Sequence, residues 1–120
     1  MDQELPTPTD RELIELSAKA IGIAGAWDAG VNGFVRSDGC DVLPKLWAPL
    51  HDGDDSLLLL MEMGFSIVTW DSMREVRVIS PRTSLVYMLP FGDDKIATVK
   101  RVVVRAAASD YEFINNKTKH

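Results

Sequence analysis

Apolar residues recur at helical spacing in three stretches of the chain and follow strand-like patterns between them. Leu13, Ile14, Leu16, Ala18 and Ile21 mark a first helix over about 10–21. Thr9 and Glu12 have the spacing of a capping box at its start, and Gly22 offers a left-handed stop. The nearly continuous run Leu57 to Met63 predicts a second helix, capped by Asp52 or Asp54 and closed by Gly64. Ile96, Val99, Val102, Val103, Ala106 and Ala107 form the apolar stripe of a third, with Asp93 or Asp94 as its cap and Lys95, Lys100, Arg101 and Arg105 off the stripe. Its valines are mediocre helix formers, yet their spacing and the closing alanines favour helix over strand.

Between the helices, residues 65–70 and 75–79 are rich in β-branched and aromatic side chains, and a hairpin-length link joins them. Val76 and Val78 alternate with Glu75, Arg77 and Ile79, which predicts one dry face and one wet face. A further strand is expected over 83–89, after Pro81. Asn32-Gly33 is a hairpin signal that would pair residues 26–29 with 34–36.

The pattern therefore predicts an α+β fold in the order α-(ββ)-α-β-β-β-α, a small antiparallel sheet with three helices on one face. The expected organisation is a lead over 1–8, one domain over 9–109 and a polar, frayed tail over 110–120. Leu13, Leu16, Ile21, Leu58, Leu59, Ile67, Val76, Val78, Leu85, Val99, Val103 and Ala106 are the expected core.

The chain has 120 residues, 46% of them apolar, enough for one core without disulfides or a structural metal. Its formal net charge of -5 supplies no diffuse positive field for a phosphate backbone. The four cations of the third helix read as a solvated face, so no nucleic acid is expected as a partner. The single Cys40 cannot close an internal disulfide, the first residues lack the pattern of a secretory signal, and no apolar run approaches a membrane span. A cytoplasmic location is expected.

Five adjacent positions, His51-Asp52-Gly53-Asp54-Asp55, invite a metal reading. A calcium loop needs oxygens at alternating positions over about twelve residues, whereas here leucines follow Ser56. Helix capping accounts for the same carboxylates, and Asp93-Asp94 repeats the device. A Cys40–His51 nucleophilic pair has only the presence of both residues in its favour, and no phosphate-binding glycine motif occurs. No catalytic residue, metal or cofactor is expected. Tyr111, Phe113 and Ile114 stand out as apolar residues in a polar tail, costly to leave wet unless they dock on something.

The segments "ELIELSAKAIGI", "LWAPLHDGDDSLLLLMEMGFSI" and "VKRVVVRAAAS" resemble the NinX-like group of small bacteriophage and prophage proteins. Ala48 departs from the asparagine usual in that group, and His51 from a small polar residue. The resemblance implies an accessory phage product that inhibits or redirects a host bacterial protein, for example an anti-phage defence complex such as CRISPR, through protein–protein contact. Asp52, Asp54, Asp55 and Glu62 are one candidate partner-binding patch, Asp93 and Asp94 another, and Tyr111 and Phe113 a third. A homodimer is also compatible with the sequence. The alternatives are a small ligand-binding or hydrolytic domain around Trp47 and His51, and a self-assembling structural protein.

Overall fold

The computed structural model describes residues 9–38, 45–70, 72 and 74–118. The elements are α1 (Asp10–Ala20), β1 (Gly25–Asp28), β2 (Gly33–Arg36), β3 (Leu46–Trp47), α2 (Gly53–Met63), β4 (Ser66–Trp70), β5 (Glu75–Ile79), β6 (Val86–Pro90) and α3 (Lys95–Thr118). This is an α+β fold in the expected order. The strands divide into two antiparallel three-stranded sheets, β1-β2-β3 and β4-β5-β6. The extra strand is β3, whose two residues pair with Val35 and Phe34.

Local chemistry sets the helix ends. Thr9 Oγ1 accepts the Glu12 N–H at 3.2 Å and Glu12 Oε1 accepts the Thr9 N–H at 3.4 Å, which completes the capping box of α1. Asp52 accepts the Asp54 N–H at 2.9 Å ahead of α2. Gly64, at φ 70°, ends α2 by donating to the Leu60 and Met61 carbonyls. Asp94 Oδ1 takes the Ala97 N–H at 3.0 Å at the start of α3.

The helices meet where side chains are small. α1 packs against α3, and Ser17 and Ala18 of α1 and Ala106 and Ala107 of α3 are small and fully buried. α3 also covers one face of the second sheet, into which Val76 and Val78 point with no exposed surface. Trp47 is the largest fully buried side chain. Its indole Nε1 donates to Ser17 Oγ at 3.0 Å, and that hydroxyl donates to the Ile14 carbonyl at 2.8 Å, so the first sheet is bolted to α1. No described helix is long and apolar enough to cross a membrane.

Four expectations need correction. α3 runs to Thr118, so the stretch expected as a frayed tail from Asp110 is helical as far as it is described. The last strand begins at Val86 rather than at Thr83, because residues 80–85 are spent on a tight turn. In that turn the Ser84 N–H donates to the Ser80 carbonyl, Ser84 takes φ 62°, and the Ser80 and Thr83 hydroxyls accept backbone N–H groups. Leu58 and Leu85 lie exposed rather than in the core, while Trp47, Met63, Val102 and Val104 occupy it. Ile96, counted on the apolar stripe of the third helix, is 69% exposed.

Candidate protein-binding surface

The acidic turn before α2 is built around its own backbone. Ala48 starts it: its carbonyl accepts the N–H groups of His51 and Asp52, while its N–H donates to Asp55 Oδ2 at 2.8 Å. Asp55 is half-buried, and desolvation raises its carboxyl above the ordinary aspartate range even though the Ala48 N–H favours its charged form. Asp52 caps the helix, and Asp54 sits exposed in the first turn, where a carboxylate is favourable beside the positive helix end. Among the described residues no group of three or more His, Cys, Asp or Glu side chains is placed to hold a metal ion. Cys40 lies outside the described residues, so its pairing with His51 has no structural account.

The first turns of α2 and α3 lie side by side. Lys100 Nζ reaches the His51 carbonyl at 3.0 Å and joins the second turn of α3 to the loop before α2. Between them runs a groove of about 180 Å³, walled by Gly53, Ser56, Leu57 and Leu60 on α2 and by Ile96, Val99, Lys100 and Val103 on α3, with Ile67 of β4 beneath. Each wall follows the i, i+3, i+4, i+7 positions of one helix face. The rims are apolar and wet: Leu57 is 54% exposed and Ile96 69%.

This arrangement regroups the candidate acids. Asp52 and Asp54 flank Gly53, and Asp93 and Asp94 directly precede Lys95-Ile96, so four exposed acidic residues neighbour in sequence the residues that wall one end of the groove. Asp55 sits just behind them, turned to Ala48. Glu62 does not belong there: it lies two turns further along α2, beside a separate depression that also borders Ile21 and Leu58. Tyr111 and Phe113 sit on the last turns of α3, about 25 Å from Ile96 at 1.5 Å per residue. Tyr111 is half-buried, and Phe113 is exposed.

Three of the four cations expected on the solvated face of α3 make contacts within the domain. Arg101 pairs with Asp10 at 3.1 Å, Lys100 is turned to the His51 carbonyl, and Lys95 lies over the Phe91 ring at 5.7 Å from its centre. Arg105 is half-buried.

Trp47 and His51 border a second depression of about 510 Å³, walled mainly by Trp27, Phe34, Ile14 and Leu46. Trp47 contributes little accessible surface because its indole is committed to Ser17. Trp27 there is half-buried, with the Arg11 guanidinium 5.3 Å from its ring centre.

A cluster the sequence did not announce lies under α3. The carboxylate of Asp110 is fully buried and accepts hydrogen bonds from the hydroxyls of Ser80, Thr83 (2.9 Å) and Tyr87 (2.7 Å). Burial, then the bond to Asp110 and its charge, push the Tyr87 phenol well above its usual range. The available signal was that Asp110 continues the stripe of Val99, Val103 and Ala106, a polar residue at a core-facing position. Compared with family models, curated proteins and solved structures, the chain matches none.

Proposed function

We propose that this protein is a phage-encoded accessory protein that acts by contact, docking a basic, apolar segment of a host bacterial protein into the groove between α2 and α3. The observation that carries this reading is an apolar groove with exposed Leu57 and Ile96 in its walls, beside the two helix starts that bear Asp52, Asp54, Asp93 and Asp94. Apolar side chains this exposed and this close together mark interaction surfaces more often than ordinary monomer surface. Carboxylates around an apolar centre complement a segment that carries Lys or Arg beside its apolar anchors, and they raise its association rate. The phage origin and the host target come from the resemblance to the NinX-like group and stand with it.

Affinity purification from a bacterial host, followed by mass spectrometry, tests the reading when run with variants in parallel. A partner should be retained by the wild type and by Glu62→Gln, and lost with Leu57→Arg and Ile96→Arg, which place a cation in the path of a basic segment. Equal capture by all four proteins rejects the groove.

A second reading rests on the Trp27–Phe34–His51 depression, whose volume falls in the range of small-ligand pockets. In that case His51→Ala abolishes a binding or turnover activity while the melting temperature stays put.

A further inference from the structure

Of the two faces of the second sheet, α3 covers one, and the other carries the exposed side chains of Ile79, Val86 and Met88. Val76 and Val78 point into the core against α3, so Glu75, Arg77 and Ile79 project to the other side of β5. Cross-strand register places Val86 opposite Ile79 and sets Val68 and Met88 on either side of Arg77, on that same side. Val86 is 53% exposed, Met88 59% and Ile79 39%. In their midst Arg77 and Glu75 form an ion pair at 3.0 Å, with side chains only 31% and 15% exposed. Exposed apolar side chains around a largely desolvated pair of opposite charges have the composition of an interface centre rather than of a solvated strand face.

We infer that this open face joins two copies of the chain in a symmetric dimer. Charge pattern selects the occupant. Glu75 and Arg77 lie two residues apart on the central strand, roughly 7 Å at strand rise. A two-fold axis lying between two stacked faces and perpendicular to β5, level with Val76, places Glu75 of each copy over Arg77 of the other. A partner surface of a single sign repels one member of the Glu75–Arg77 pair, whereas a second copy presents an opposite charge to each and extends the pair within each copy into a four-membered network. Stacked sheets lie about 10 Å apart, a gap that an arginine and a glutamate reaching from opposite faces can close.

Size sets the strength. Three strands of five residues make a face of about 17 by 14 Å from strand rise and spacing, well under the ~800 Å² per partner of a standard stable interface. The dimer is therefore weak and depends on concentration and salt. It also leaves the α2/α3 groove free, because Ile67 at the bottom of the groove and Val68 on the open face point to opposite sides of β4. The dimer carries two grooves and gains avidity for a repeated target.

Sedimentation analysis over a concentration series tests this. The wild type should rise from the 13.3 kDa monomer toward twice that mass as concentration increases, and added salt should reverse the rise. Glu75→Arg and Arg77→Glu, each alone, should weaken association at least tenfold. Mixed in equal amounts they should associate again, because one copy then presents two cations to two anions on the other. Met88→Lys, an exposed position, should weaken association as well and covers the case in which a charge variant fails to fold by circular dichroism. A wild type that stays at monomer mass at millimolar concentration overturns the inference. So does association unaffected by either Met88→Lys or the single charge swaps, or a mixture that stays monomeric when both swaps are folded.

Discussion

The Tyr87 hydroxyl donates to the Asp110 carboxylate at 2.7 Å, tying the last strand to the longest helix. Ser80 and Thr83 donate to the same buried group, so one side chain of α3 organises the whole turn between β5 and β6. A buried carboxylate that accepts three hydroxyl hydrogen bonds is stable only while all three donors remain. Asp110→Ala leaves three donors without their acceptor and opens a cavity; it should destabilise the fold by about 3 kcal/mol in urea titration. Asp110→Asn keeps the shape and one oxygen acceptor and should cost less than the alanine.

Alkaline pH should expose the same node. The folded-state phenol of Tyr87 titrates above its ordinary value of 10.0. Its stabilising contribution is therefore complete below about pH 10 and falls as pH rises, because the unfolded chain releases the proton first. Stability measured from pH 9 upward should decline in the wild type, and the decline should be shallower in Tyr87→Phe. Equal slopes would mean that the phenol is free of Asp110.

The link between Trp47 and Ser17 offers a core counterpart. Ser17→Ala removes the acceptor of the buried indole N–H, and an unsatisfied buried donor costs about 1–3 kcal/mol. Loss of stability of that size, with a change in tryptophan emission, is expected. A neutral result would show that the N–H finds another acceptor.

For the acidic turns, the capping account separates residues that look alike. Asp52→Ala and Asp94→Ala should each destabilise by about 1 kcal/mol, since both side chains accept a first-turn N–H. Asp54→Asn and Asp93→Asn should leave stability nearly unchanged and weaken partner capture instead. Millimolar calcium should leave the wild-type melting temperature where it was; a clear rise would restore the metal reading.

Much of the frame was legible in the chain because single residues carried unambiguous local chemistry. Thr9 with Glu12 set the start of α1, Gly64 set the end of α2, and alternation around Val76 and Val78 fixed which face of β5 is dry. What escaped depended on partners far away in sequence. The place of Asp110 on the core-facing stripe does not say what meets it, because its hydroxyl partners lie 23, 27 and 30 residues earlier, so a polar residue after Ser109 reads as the end of a helix. Trp47 entered only as a pocket residue beside His51, and its buried place follows from Ser17, far away in sequence, which supplies its acceptor. The candidate surface was half visible. All four acidic residues stood out in the sequence, but Asp93 and Asp94 joined Asp52 and Asp54 only through the adjacency of two helix starts, and Ile96 counted on the apolar stripe of the helix because a stripe does not say where the covering layer ends.

The most direct test of the docking account is an amide-resolved NMR titration of the isotope-labelled protein with the partner recovered by affinity capture. The account predicts shifts concentrated at residues 53–60 and 96–103, and their disappearance with Ile96→Arg. Shifts centred on Trp27, Phe34 and His51, or on the open face around Arg77 and Met88, with the groove unperturbed, would contradict it.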